Sequence, residues 1–363
     1  MRKPKSVWAV GAAGAGVATL LLTGCGSDNG AAKTATGTKP VSCTSGTVTA
    51  AGSTFQQNIE QQWAADFATS CSGSKVTYTG TGSGAGIQQF GAGTIAFAGS
   101  DVPMTADEQA TADRRCGGSA ATLPVTAGGI AVIYHVSGVS ELRLSAKTLA
   151  GIFQGTVKRW NDASLVADNP GVHLPNLPIV TYHRADGSGT TSVFSAFEDA
   201  LSGGTWHLGT GKTLNWPAGQ GANGSDGVVR GVTSTNGSIT YAEASYAMAH
   251  NLPAAAIQNS SGAFVKLTTD AVQQAIASGF RLGSTSGDAA GQLDFTKMQA
   301  YPLSTVSYAI VCRHYSDPTT DAVIRAYLGY ALGSGQSSAA ALGYAPLPAT
   351  LVADARRALS GSA

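Results

Sequence analysis

Charged residues are scarce in this chain: 12% of its 363 residues are Asp, Glu, Lys or Arg, and the 22 basic ones nearly cancel the 21 acidic ones. So even a balance gives no basic face for nucleic acid, and an anion would have to be met by aimed dipoles and one or two cations. The six histidines, His135, His173, His183, His207, His250 and His314, are scattered, and no Cys-x-x-Cys spacing occurs, so no metal centre is expected. A dinucleotide fingerprint is missing, because Ala85 and Ile87 stand where the third glycine of G-x-G-x-x-G would fall in Gly80 to Ile87. Gly209-Thr210-Gly211-Lys212-Thr213 is not a P-loop, because Trp206 replaces its first glycine. No cofactor is therefore called for. Ser83 and Ser188 lack the G-x-S-x-G turn of a hydrolase nucleophile and have no histidine base nearby in sequence, although a spatially adjacent base stays open. The apolar run Val7 to Leu22 is too short and too rich in Ala and Gly to read as a membrane span.

What is present is concentrated in Val180-Thr181-Tyr182-His183-Arg184-Ala185-Asp186-Gly187-Ser188-Gly189-Thr190-Thr191. Strand side chains alternate, so Arg184 and Asp186 share a face and the carboxylate can brace the guanidinium, while His183 points the other way. Gly187 and Gly189 admit a close approach of backbone, and Ser188 is a natural N-cap for the helix predicted over Ser192 to Leu201. The first N–H groups of that helix lack partners and carry the positive end of its dipole, which favours an anion. On this segment alone, a capped helix beside an ordinary surface salt bridge is an equally good reading.

The pattern recurs twice. Ala50-Ala51-Gly52-Ser53-Thr54-Phe55 runs into a helical periodicity over Gln56 to Phe67, and the alternating strand Val76-Thr77-Tyr78-Thr79 runs through Gly80-Thr81-Gly82-Ser83-Gly84-Ala85-Gly86 into another helix. A short apolar strand, Thr94 to Ala98, ends in Gly99-Ser100-Asp101. A carboxylate beside an anion site makes sense if the anion carries a proton.

These segments, with Arg184-Ala185-Asp186-Gly187-Ser188-Gly189-Thr190, Trp216-Pro217, Gly224-Ser225-Asp226-Gly227 and Ser238 to Ala247, resemble the PstS family of phosphate-binding proteins of phosphate ABC transporters, in register from about Thr47 to Pro348. Ser53 and Gln56 to Asn58 depart from the small and proline-rich residues usual there. Gly84-Ala85 replaces a commoner Ser-Gly pair, leaving Gly84 as a main-chain donor only. The resemblance implies an α/β, two-lobed type II periplasmic-binding-protein fold that closes on its ligand in a cleft. It implies phosphate contacts from Thr54, Phe55, Ser83 and Asp101 on one lobe and Arg184, Ser188, Gly189 and Thr190 on the other, with Asp186 in support. The partners it implies are inorganic phosphate and the permease and ATPase subunits of the importer, the protein acting as a monomer and not as an enzyme. A receptor for sulfate or another tetrahedral oxyanion, a secreted phosphate-ester hydrolase and a surface adhesin are the competing readings.

The ends fit an exported protein. Arg2, Lys3 and Lys5, the apolar run and Leu22-Thr23-Gly24-Cys25 form a lipoprotein signal, cleaved before Cys25, whose thiol would be acylated and hold the protein to the outer face of the cytoplasmic membrane. Losing three basic residues takes the balance to 19 against 21. Ser27 to Pro40 reads as a flexible tether. The expected division is residues 1–24 signal peptide, 25–45 anchor and tether, 46–123 with 302–363 one lobe, and 124–301 the other, with connections near Leu123-Pro124-Val125 and Tyr301-Pro302-Leu303. The four remaining cysteines allow three pairings; Cys43 with Cys71 and Cys116 with Cys312 is the expected one. Lys158-Arg159-Trp160-Asn161-Asp162 is expected as a surface turn, Trp216-Pro217 as a packed loop anchor, and Gly283 to Gly291 as a loop.

Overall fold

The computed structural model describes residues 43–283 and 290–360, so Cys25, the leader and most of the tether lie outside the described residues. The strands of the principal sheet are β1 (Gly46–Gly52), β2 (Ser74–Gly80), β3 (Phe97–Ser100), β4 (Ala120–His135), β5 (Val180–Arg184), β6 (Gln220–Ala222), β7 (Ser238–Glu243) and β8 (Ser304–Cys312). They lie in the order β2-β1-β3-β8-β4-β7-β5-β6. β2 alternates as an edge strand should: Val76 and Tyr78 point inward while Lys75, Thr77 and Thr79 are exposed. β4 and β8, in the middle, are buried on both faces and read as nearly continuous apolar runs.

β4 is the spine of the molecule. From Ala120 to Gly129 it pairs antiparallel with β8, and from Ile130 to His135 with β7. The change of partner falls at Gly129 and Ile130, where Ile130 N–H also bonds to Leu303 O, at 2.8 Å. The sequence marks Leu123-Pro124-Val125 as the crossing, yet the strand runs straight through it. A proline inside a central strand is tolerated here because the register slips: Pro124 faces Tyr308 and Thr126 faces Ser307, leaving Val125 as the extra residue of a bulge. The fold is thus the two-lobed α/β arrangement, with β2, β1, β3 and β8 on one side of that spine and β7, β5 and β6 on the other.

Local signals account for the helices. Thr105 and Glu108 form a reciprocal capping box at the start of Ala106–Cys116, and Gly117 ends it in the left-handed region. Ser188 caps Gly189–Leu201, which begins three residues earlier than the apolar periodicity indicates because Gly189 and Thr190 already lie in the first turn. Cys43–Cys71 and Cys116–Cys312 are both bonded, as expected. Trp160 is no surface residue: it is fully buried, with Nε1–H donating to Gly237 O at 2.9 Å, while its neighbours Lys158, Arg159 and Asn161 are exposed. Trp216 packs against Phe153, Trp206, Tyr241 and His183, the loop anchor its sequence suggests. Of the segment from Gly283 to Gly291, residues 284–289 lie outside the described residues, and the flanking Phe280–Leu282 and Gly291–Leu293 form an antiparallel pair.

Besides Asp101, three carboxyls among the described residues are buried without a bonded cation: Glu60, bonded to the Tyr327 hydroxyl at 2.6 Å; Glu243, bonded to Ser245 N–H at 2.8 Å; and Glu198. Burial pushes Glu60 up to about 7, Glu243 up to about 8, and Glu198 well above the ordinary range. A carboxyl raised in the folded state contributes stability that is complete below its unfolded value and is lost as pH rises through the folded one. His183, lowered by burial, acts in the opposite sense over part of that window, but it is a single half-buried ring. Melting of the ligand-free protein should therefore occur at least roughly 3 °C higher at pH 5 than at pH 8, the shift that about 1 kcal/mol produces in chains of 150–250 residues. Calorimetric melting across that range checks it, and a Tm that rises with pH would contradict it.

Candidate functional site

In open α/β sheets, ligands gather beyond the carboxyl ends of parallel strands, where the chain turns into the next helix. Here β1, β2, β3, β5 and β6 all deliver such ends to one place. β1 gives way to Ser53-Thr54-Phe55 and the helix Gln57–Ser70, and β2 to Gly80-Thr81-Gly82 and the helix Ser83–Gly91. β3 ends at Asp101, β5 leads through Asp186 and Ser188 to the helix Gly189–Leu201, and β6 leads to the helix Gly224–Ser234. Four helix N-termini of eight residues or more thus converge, each carrying partial positive charge. Gly82, at φ 89°, makes the turn after β2, and a Cβ there would lie 2.4 Å from Asp186 Oδ2. Only glycine brings these two segments so close.

Arg184 and Asp186 form a two-bond fork, Nε to Oδ1 at 2.7 Å and Nη2 to Oδ2 at 2.5 Å, with the arginine side chain 1% exposed. Gly224 N–H adds a third bond to Asp186 Oδ1, at 3.0 Å. Burial opposes the Asp186 charge, but Arg184 and the amides outweigh it and hold the carboxyl below its usual range. The remaining arm of the guanidinium, Nη1, reaches Ser225 Oγ at 3.5 Å. Ser225 Oγ lies 2.8 Å from Thr54 Oγ1, and Ser225 N–H points to the same Thr54 oxygen at 3.3 Å. Arg184 is therefore anchored on one edge and presents the other to Thr54 and Ser225.

Asp101 is 2% exposed and has no cation bonded to it. Three hydroxyls converge on it: Ser53 and Ser307 donate to Oδ1 at 2.5 and 2.6 Å, and Thr190 to Oδ2 at 3.1 Å. Burial pushes its carboxyl up, while Ser307, Ser53, Thr190 and the nearby Arg184 charge each pull it down. Its own N–H donates to Ser83 Oγ at 3.3 Å, so the Ser83 proton is free to point elsewhere. Gly189 fits tightly against this pair: a Cβ would lie 2.4 Å from Ser83 Oγ and 2.9 Å from Asp101 Oδ2.

The residues nominated for phosphate, with Asp186, all lie in this cluster, and all but the partly exposed Asp186 are buried. Phe55 and the half-buried Gly84 depart from expectation, since the main-chain N–H of each is taken by a protein acceptor. Phe55 N–H is turned onto Ser53 Oγ, at 3.0 Å, and its ring packs edge-on against Tyr344. Gly84 N–H bonds to Gly187 O at 2.9 Å and ties the β2 turn to the β5 turn. Ser53, Ser225, Ser307 and Tyr241 were not nominated. Ser225 had a signal, standing second in the helix after Asn223. Ser307 had none, because its place is set by the pairing of β8 with β3, which puts Tyr308 opposite Ser100.

The two sides of the cleft touch at several points. Besides Gly84 to Gly187 and Thr54 to Ser225, Thr190 reaches Asp101, and the Tyr246 hydroxyl donates to Thr54 O at 2.7 Å. Lys212, in the loop after the Gly189 helix, pairs with Glu108 at the start of Ala106–Cys116. The lobes are therefore drawn together around the Arg184 and Asp101 groups. Among the described residues no cluster of His, Cys, Asp and Glu could hold a metal ion, and no helix is long and apolar enough to cross a membrane.

Residues 37–334 match the family model for the PBP superfamily domain. The chain is 40% identical over 337 residues to the phosphate-binding protein PstS 3 of Mycobacterium leprae, covering 90% of this chain and 91% of that one. It is 32% identical to the phosphate-binding protein PstS of Xylella fastidiosa, over 92% of each. Among solved structures, the phosphate-binding protein of Stenotrophomonas maltophilia superposes with a TM-score of 0.68 at 17% identity, covering 86% of this chain and 93% of that one. A phosphate ABC transporter substrate-binding protein with bound phosphate from Clostridium perfringens gives 0.61 at 18% identity, over 84% and 100%. Identities that low speak for the fold alone, whereas the sequence relatives span nearly the whole chain, and on that ground the chain belongs to the PstS family of the PBP superfamily.

Proposed function

We propose that this protein binds inorganic phosphate outside the cytoplasm and delivers it to the permease and ATPase subunits of an ABC-type importer. The observation that carries the reading is a buried carboxylate, Asp101, set within the same ring of helix N-termini as a buried arginine. A site for any oxyanion needs the dipoles and Arg184. Only a site for an anion that still bears a proton gains from a carboxylate acceptor. In this reading Thr54, Ser83, Ser188, Gly189 and Thr190 donate to the phosphate oxygens and Ser225 joins them, while Phe55, whose N–H is turned onto Ser53 Oγ, borders the site without donating to the anion. Arg184 supplies the charge and Asp186 holds it in place. The lobes meet along β4, near Gly129 and Ile130, so that the ion cross-links them and binding becomes closure.

A hydrolase is the weaker reading. Ser83 Oγ takes the Asp101 amide and Ser188 Oγ caps its helix through Thr191 N–H at 3.1 Å, and the nearest histidine in sequence, His183, stacks on Trp216 at 4.9 Å. Calorimetric titration of the soluble domain with inorganic phosphate, alongside a chromogenic phosphate ester, separates the two. Heat of binding without turnover is expected; turnover of the ester, or no heat with phosphate, would overturn the assignment.

The anchor is part of the same proposal. Cys25 is the acylation site, Ser27 to Pro40 the tether, and the protein works as a monomer held to the outer face of the membrane. Cys25→Ser should release it into the medium with unchanged phosphate affinity of the soluble domain. Retention in the membrane fraction after an alkaline wash would speak for a spanning helix instead.

A further inference from the structure

Two of the hydroxyls that meet Asp101 are steered by bonds to the protein itself. Phe55 N–H donates to Ser53 Oγ at 3.0 Å, so the serine's own proton turns the other way, to Asp101 Oδ1. Gln56 Nε2 donates to Ser307 Oγ at 2.7 Å and to Tyr308 O at 2.8 Å, so the Ser307 proton also goes to Asp101 Oδ1, or to Ser100 O at 3.2 Å. A carboxylate offers about four lone-pair positions. Two on Oδ1 are taken by Ser53 and Ser307 and one on Oδ2 by Thr190, which leaves one acceptor position, on Oδ2, beside Ser83 and Gly189.

We infer that Ser53 and Gln56 are specificity-determining residues: together with Ser307 they lock Asp101 as a pure hydrogen-bond acceptor, and so exclude fully deprotonated tetrahedral anions such as sulfate. Ser53 and Gln56 are both among the positions where this chain departs from the pattern it resembles. The inference rests on the phosphate reading of the site. A buried carboxyl stripped of its donors takes up a proton more readily, and a protonated Asp101 becomes a donor that sulfate accepts as well as phosphate does. The charged and titratable groups facing Asp101 are Arg184 at the end of β5, Tyr78 of β2, whose hydroxyl donates to Ser53 O at 2.9 Å, and Tyr308 of β8. The helix Gly189–Leu201 contributes only neutral hydroxyls there, Thr190 and Ser192. Arg184 keeps its Asp186 fork in a Ser53 variant, so a change in discrimination reports on Asp101.

The test is competitive calorimetry of Ser53→Ala with phosphate and sulfate between pH 5.5 and 8. Phosphate affinity should fall less than about tenfold, while the phosphate-to-sulfate ratio should drop by about tenfold or more, with the loss growing as pH falls. An unchanged ratio at every pH, with phosphate still bound, overturns the inference. Should Ser53→Ala melt far below wild type, Gln56→Met decides by the same readout; it leaves the Ser53 bond in place and should move the ratio in the same direction by a smaller factor. Wild type that fails to bind phosphate would instead overturn the phosphate reading beneath it, and the two failures are distinct.

Discussion

Replacing Arg184 with alanine should weaken phosphate binding by about a hundredfold or more, while replacing Lys158 should change it less than about twofold. Charge-assisted bonds in a desolvated site are worth about 1.5–3 kcal/mol each, and every 1.4 kcal/mol is a factor of ten. The loss does not end there. Asp186 would keep only its Gly224 bond and stand as an uncompensated charge beside an incoming anion. Lys158, on an exposed turn, shares neither the burial nor the neighbours. Arg184→Lys should fall between, because an ammonium keeps the charge but cannot hold the two bonds to Asp186 and reach Ser225 at once. Titration of the three variants checks this, and equal losses for Arg184→Ala and the Lys158 variant would remove Arg184 from the site.

The second large effect is on selectivity. In Asp101→Asn the hydroxyls of Ser53 and Ser307 both donate to the Oδ1 position and hold the amide's oxygen there. The NH2 group then takes the Oδ2 position, the one that faces the anion. A donor replaces an acceptor, so the variant should admit sulfate with an affinity within about tenfold of its affinity for phosphate. Acidification acts in the same direction on wild type: burial raises the Asp101 carboxyl, so lowering pH protonates it earlier than an exposed aspartate and lets sulfate in. Titration of Asp101→Asn with both anions at neutral pH is the check, and a variant that still rejected sulfate would show that Asp101 does not select.

Much of this site was legible in the sequence because its parts are local. A strand, a small-residue turn and a helix fit within a dozen residues, and the i, i+2 spacing alone placed Arg184 and Asp186 on one face. Gly189 was legible as a close-approach position, and the disulfide pairing found was the one preferred among the three that four cysteines allow. What could not be read was set by distant packing. Ser307 meets Asp101 because β8 pairs antiparallel with β3, with Tyr308 opposite Ser100, and nothing local to Ser307 announces that partner. The crossing between lobes was placed at Pro124, since prolines usually break strands; the sheet instead absorbs it and changes partner at Gly129 and Ile130. Ser53 and Gln56 were visible only as departures from the resembled pattern, and the pairing of β3 with β8 shows both bonded into the Asp101 network.

Selectivity here depends on a carboxylate that accepts a hydrogen bond from the ligand, and one measurement reaches it directly. Sulfate and monohydrogen phosphate share shape and charge, and differ in the single hydroxyl that can donate a hydrogen bond to Asp101. Sites built around one such bond reject the analogue lacking it by on the order of 10⁴. Competitive calorimetry of the wild-type domain with phosphate and sulfate at neutral pH should show phosphate binding undisturbed by a thousandfold excess of sulfate; sulfate binding as tightly as phosphate would contradict the account.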